Sequence, residues 1–296
     1  MSATILVLGR SGQVARELAK LGPPEGFELV FAGRERFDLM GAADPAALVE
    51  ALEPAAVINA AAYTAVDRAE SEPEAALWLN REVPAALART CASAGIPFVH
   101  FSTDYVFDGA KPEPYVEDDP IRPTGVYGRS KAEGEAEVLA AGGPAVVLRT
   151  SWVFSAFGAN FVKTMLRLAQ EREEIGVVAD QIGRPTWAED CAAGALRAAM
   201  ALEAGEIEGA ELFHLAGGGD ASWADFAEAV FEESATRGGP RPVVRRIATA
   251  DYPTPARRPA NSRLDCGRIV RALNWPMRPW REGLRECFKE LELMKS

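Results

Sequence analysis

Tyr127 and Lys131 stand four residues apart in the run Tyr127-Gly128-Arg129-Ser130-Lys131, a spacing that puts a phenol and an ammonium on one face of a helix. A free tyrosine, with a pKa of about 10, is a poor acid–base group at neutral pH. A neighbouring cation favours the phenolate and brings the group toward the range where general acid catalysis works best. The same spacing is common on exposed helices, so its surroundings decide. Upstream, residues 98–103 read as a strand ending in the adjacent hydroxyls of Ser102 and Thr103. In that order the residues make a carbonyl-reduction site. Thr103 would hold the carbonyl oxygen, Tyr127 would protonate it, and Lys131 would also bond a cofactor ribose while a nicotinamide delivers hydride.

Such a site needs a dinucleotide loop, and Gly9-Arg10-Ser11-Gly12-Gln13-Val14-Ala15 supplies a candidate between a strand and a helix. Glycines let the backbone approach a pyrophosphate, and the helix N-terminus presents free N–H groups. The spacing is GxxGxxA rather than GxGxxG, and a ligand-free glycine turn is the plain alternative. Gly9, Ser11, Gly12, Gln13 and Val14 are the expected contacts. The second strand ends at Gly33-Arg34, where NAD-selective folds carry an acidic residue. The guanidinium fork of Arg34 suits a 2′-phosphate, which favours NADPH and leaves NADH open; a solvated surface arginine is the other reading. Asp38 and Leu39 are placed to meet the adenine edge. Ala60, Ala61, Ala62 and Tyr63 close the third strand with small residues, as a flat cofactor requires.

Strand-like runs at 4–8, 28–32, 56–59, 97–102 and 145–149 alternate with helical runs at 13–21, 45–52, 81–94 and 127–141. This alternation predicts an α/β fold: a Rossmann-type doubly wound parallel sheet over residues 1–151. Residues 152–296 predict a smaller interleaved substrate-binding lobe with some segments returning to the sheet. Helical stretches there fall at 160–171, 188–202, 222–236 and 279–289, and β-like pieces at 175–178, 211–215 and 243–247.

The formal charge of −11 opposes nucleic acid or an anionic membrane as partner. No apolar run approaches the ~20 residues that span a bilayer, and the start lacks signal-peptide features, so a cytoplasmic protein is expected. The four cysteines are scattered without a CxxC pair, and neither His100 nor His214 adjoins one in sequence. Buried free thiols are expected rather than a zinc site or disulfides.

Trp152 follows the strand after the catalytic helix, where an indole face could pack on a pyranose; a core tryptophan is the alternative. Three arginines fall within residues 257–263 of an acidic chain. Arg258, Asn261 and Arg263 are the candidates for a diphosphate, against a merely solvated charged face.

An ordered set of motifs carries a resemblance that runs nearly end to end. It comprises NAAAYTAVD at 59–67, AESEP at 69–73, STDYVF at 102–107, VYG at 126–128, RTSWVF at 149–154 and NFVKTM at 160–165. Asp180-Gln181, Gly183 and Pro185-Thr186 follow, then YPTPARRP at 252–259 and NSRL at 261–264. The chain resembles the dTDP-4-dehydrorhamnose reductase family of extended short-chain dehydrogenase/reductases. The resemblance implies reduction of the 4-keto group of dTDP-4-dehydro-β-L-rhamnose, usually by NADPH, with Thr103, Tyr127 and Lys131 as catalytic trio. It also implies that Tyr63, Thr64, Val66 and Tyr105 line the sugar pocket, and that the diphosphate is that of dTDP. Ala15 stands where the family has Gly, and Phe154 where related chains often carry Tyr. Some members dimerise through a magnesium ion held by glutamates, and Glu17, Glu189 and Glu290 fall near the matching positions; three unrelated surface carboxylates fit equally. The chain is expected to be a monomer or a homodimer. Two other functions share this fold: a regulatory nucleotide-binding subunit like the methionine adenosyltransferase β subunit, and a reductase, epimerase or dehydratase of another nucleotide sugar. Asp104 follows Thr103, but no Glu follows it as in many dehydratases.

Overall fold

The computed structural model describes residues 2–35, 37–41 and 44–294. The first half alternates as the apolar pattern predicts. Strand β1 is Ala3–Leu8, helix α1 Gln13–Leu21, β2 Phe27–Ala32, α2 Pro45–Leu52 and β3 Ala56–Asn59. Two short helices follow, α3 (Val66–Ala69) and α4 (Pro73–Leu77). A π-helical turn over Trp78–Glu82 leads into α5 (Val83–Ala94), then come β4 (Phe98–Thr103), α6 (Val126–Ala140) and β5 (Ala145–Thr150). Asp44 caps α2 by accepting from Ala46 N–H, and Pro45 takes the first helical position, where its missing donor costs nothing.

The second half is more broken: β6 (Val153–Phe154), α7 (Phe161–Ala169), β7 (Glu174–Val178), β8 (Ile182–Gly183), β9 (Thr186–Trp187) and α8 (Ala188–Glu203). After these come β10 (Ala210–His214), β11 (Ala221–Ser222), α9 (Trp223–Ala235), β12 (Val243–Ile247), β13 (Asn261–Ser262), α10 (Gly267–Leu273) and α11 (Trp280–Leu293). Six strands form one parallel sheet in the order β10-β5-β4-β3-β1-β2.

Alternate strand residues face opposite layers. Ile5, Val7, Ile58, Val99, Val146 and Leu148 pack toward α1 and α8, whereas Leu6, Leu8, Val57, Phe98 and Val147 pack toward α2, α5 and α6. A third core joins α7, α9, α11 and β7 around Phe226 and Phe231. α8 and β10 belong to the sheet layer although they follow residue 151. Phe154 is fully buried in the third core, so its change from Tyr does not bear on the polarity of the cleft.

Candidate active site

Because all six strands are parallel, their carboxyl ends lie along one side, and the chain reverses direction between β1 and β3. Ligands of open α/β sheets bind at such a reversal. A cleft of about 390 Å³ opens there, lined by Gly12, Gln13, Val14, Ala60, Ala61, Ala62, Thr64, Val66, Thr103, Tyr105, Tyr127, Lys131 and Trp152 among others.

One end of the cleft is built for an anion. Gly9 takes a φ of 103°, open to glycine at little cost, and its Cα stands against the Ala60–Ala61 backbone. The N-terminus of α1 has no side-chain cap, and a Cβ on Gly12 would meet only open space. Free N–H groups beside open space fit the pyrophosphate of a dinucleotide. Ala15 is buried and packs on the strands, so the change from Gly leaves the loop intact. Gln13 accepts a hydrogen bond from Asn160 at 2.9 Å, which ties the loop to the smaller lobe. Arg34 is exposed in the turn after β2 and, among the described residues, has no ion-pair partner. Arg10, which the sequence reading passed over, reaches the same strand end and pairs with Glu35 at 3.4 Å.

The other end carries Thr103, Tyr127 and Lys131. Tyr127 lies in the first turn of α6, whose N-terminal Val126 N–H donates to Glu70 at 2.8 Å. Gly128 has no side chain because the Tyr105 carbonyl presses against it, and this close approach brings Tyr127 to the end of β4. Tyr127 is half-buried in the cleft wall, and the Thr103 hydroxyl nearby favours its phenolate form. Burial pushes its pKa up to about 12, against the lowering expected from Lys131. The reason is geometric: Lys131 Nζ donates to the Phe101 carbonyl and lies 3.3 Å from His100 Nε2. Burial pulls Lys131 itself down to about 8, with Glu135 acting the other way. Thr103 Oγ1 donates to Asp104 at 3.1 Å and accepts from Tyr105 N–H. Burial raises Asp104 to about 6, although the Ser262 and Thr103 hydroxyls beside it favour the charged form.

Trp152 reaches the cleft with a φ of 50°, and its indole stacks on Trp223 at 3.6 Å. The Tyr105 ring meets Tyr127 edge-on at 5.5 Å. Beyond Tyr105, a second hollow of about 590 Å³ is lined by Asp108, Asp180, Tyr252, Arg257 and Arg258 among others. Arg258 pairs there with Asp67 at 2.9 Å.

Several expected contacts lie elsewhere. The Leu39 side chain belongs to the hydrophobic core, and only its carbonyl is engaged, by Trp78 Nε1. Asp38 caps Met40 N–H. The Tyr63 hydroxyl donates to Glu72, so only its backbone adjoins the cleft wall. Asn261 uses its whole amide as a brace: Nδ2 donates to the Lys111 and Glu113 carbonyls, and Oδ1 accepts from Arg263. Arg263 is held by Asn261, Asp220 and the Pro112 carbonyl. Asn261 and Arg263 thus shape the loop around Arg258 rather than face the cleft.

Glu17, Glu189 and Glu290 do meet, with carboxylate oxygens within 4.8 Å of one another. The ammonium of Lys20 stands among them, 2.7 Å from Glu17, 2.6 Å from Glu189 and bonded to Glu290. This arrangement does not fit a magnesium ion, whose place the lysine nitrogen holds.

Residues 3–293 match the family described as RmlD substrate binding domain. A dTDP-4-dehydrorhamnose reductase of Sinorhizobium fredii is 45% identical over 95% of both chains. Two solved structures of the same name share the fold at a TM-score of 0.89 each. The one from Clostridium acetobutylicum is 33% identical, covering 98% of this chain and 99% of the other. The one from Bacillus anthracis, in complex with NADP, is 32% identical, covering 98% and 100%.

Proposed function

The chain belongs to the dTDP-4-dehydrorhamnose reductase family, and from that premise we infer how its cleft works. The protein reduces the 4-keto group of dTDP-4-dehydro-β-L-rhamnose to give dTDP-β-L-rhamnose, with a nicotinamide cofactor as the source of hydride. Tyr127 is the proton donor. The observation that carries this assignment is the meeting of Thr103, Tyr127 and Lys131 in one cleft, whose far end is the uncapped N-terminus of α1.

A phenol raised to about 12 is fully protonated at neutral pH, the form a donor needs. An alkoxide forming on the sugar is more basic still and takes the proton downhill. The Thr103 hydrogen, shared with Asp104 at rest, turns to the same oxygen as charge develops. Lys131, in its ammonium form, returns a proton to the phenolate left behind, because its acid is the stronger of the two. NADPH is the preferred cofactor, through exposed Arg34 with Arg10 beside the same strand end. Trp152 packs on the pyranose, Thr64, Val66 and Tyr105 wall the sugar site, and Arg258 takes the diphosphate.

The deciding experiment follows NADPH absorbance with dTDP-4-dehydro-L-rhamnose generated in situ. Wild type consumes NADPH, and Tyr127→Phe loses about 10²–10⁴-fold in kcat. No consumption by wild type sinks the reductase; full activity in Tyr127→Phe sinks only the proton donor. For cofactor choice, Arg34→Ala should weaken NADPH selectively, and an equal loss with NADH removes the 2′-phosphate role.

A further inference from the structure

His100 is fully buried in β4 and has no part in the steps above. Its ring lies between Asn59, the last residue of β3, and Lys131 of α6. Asn59 Nδ2 is 3.1 Å from His100 Nδ1, and His100 Nε2 is 3.3 Å from Lys131 Nζ. Which atoms donate is decided one bond further back. Ala61 N–H donates to Asn59 Oδ1 at 3.2 Å, so the amide oxygen faces Ala61 and Nδ2 faces the imidazole. Turned over, the amide would set two N–H groups against each other. His100 Nδ1 is therefore an acceptor. Burial and the charge of Lys131 hold the imidazole neutral, so its single hydrogen sits on Nε2, aimed at Lys131 Nζ. An ammonium has no lone pair to receive it; an amine has one.

We propose that Asn59 and His100 are positioning residues that hold Lys131 Nζ as a hydrogen-bond acceptor and so lower its affinity for a proton. The proposal rests on Tyr127 and Lys131 being the catalytic pair. The other groups facing Lys131 leave this influence in place. Tyr127 shares its helix and is neutral. Glu135, one turn on, is drawn off by Arg149 at 2.7 and 2.9 Å. Asp104, at the end of β4, is engaged by the Thr103 hydroxyl rather than by Lys131. An ordinary lysine at about 10.4 keeps its proton through the working range. One held toward the amine gives up a proton to the tyrosine in each cycle and takes another from water.

The test uses the whole chain with ¹⁵N-labelled histidine, free of ligands, at about pH 9, above the value of about 8 to which burial brings Lys131. The chain has two histidines, and the second is a built-in contrast. His214 Nδ1 lies 3.1 Å from the Tyr115 carbonyl and can only donate there, so its hydrogen is on Nδ1. The expected spectrum holds one histidine of each tautomer, the Nε2–H set vanishing in His100→Leu. Two Nδ1–H histidines overturn the proposal. This readout needs no turnover, so it stands or falls separately from the reductase assay. In the second arm, His100→Leu moves the alkaline fall of kcat upward by one pH unit or more, a tenfold gain in proton affinity. Asn59→Asp moves it the same way, because a carboxylate takes hydrogen from Nδ1 and leaves Nε2 to accept from an ammonium. A limb that stays put or moves down in the folded variants refutes the tuning.

Discussion

Lys131 carries a cost to the fold. Its ammonium is enclosed by protein and titrates at about 8, against 10.5 for a free side chain. The unfolded chain therefore holds this proton more tightly than the folded one. The penalty is complete below pH 8 and is relieved as pH rises from about 8 to 10.5. Lys131→Met should raise the unfolding free energy at pH 7 by roughly 1–3 kcal/mol while abolishing turnover, and the gain should shrink toward alkaline pH. Urea melts at two pH values check both. At this scale Tyr127, Lys131 and Thr103 were legible because a helix spacing and a strand end are local features. The neighbours that set their chemistry were not. Asn59 lies 41 residues before His100, and His100 31 before Lys131, so the parallel pairing of β3 with β4 and the packing of α6 on β4 are what bring them together.

Elements aim the larger groups. Trp152 sits just past β5, as its place after a strand foretold, but in a left-handed conformation that favours glycine. The stack on Trp223 of α9 holds it there, together with the missing side chain at Gly183 in β8. A Cβ on Gly183 would lie within 2.7 Å of Trp152 Cζ2, inside the indole. Gly183→Ala should displace the ring and raise KM for the sugar nucleotide by roughly 10–100-fold, with a smaller change in kcat and a shifted tryptophan emission. An unchanged KM would remove Trp152 from the pocket wall. The two-residue strands β6, β8, β9, β11 and β13 left no mark in the sequence, since a pair of residues has no period to read. Their positions come from what they pair with: β8 is held between β11 and β13, far away along the chain.

At the scale of the molecule, Lys20 fastens α1, α8 and α11 together by joining Glu17, Glu189 and Glu290. Without it, three carboxylates repel one another across a few ångström. Magnesium should leave the melting temperature of wild type unchanged relative to EDTA, whereas Lys20→Met should melt lower and recover with magnesium. Wild type stabilised by magnesium would mean that the lysine yields its place to the ion. The sequence disclosed the sheet and its layers, because every long strand carries its own apolar run. It did not show that Lys20 would stand among the three glutamates, since one is on the first helix and two are near or past residue 189.

The sheet is completed out of order, and this matters while the chain is being made. β5 ends at Thr150, but the strand that covers its outer edge begins at Ala210, and α8, which shares one face of the sheet with α1, lies in between. A nascent chain emerging from the ribosome therefore shows an open row of backbone donors and acceptors on β5 until Ala210 and the residues after it have been made. An uncovered edge of that kind invites any passing strand. The slower residues 151–209 are made, the longer that edge stays open.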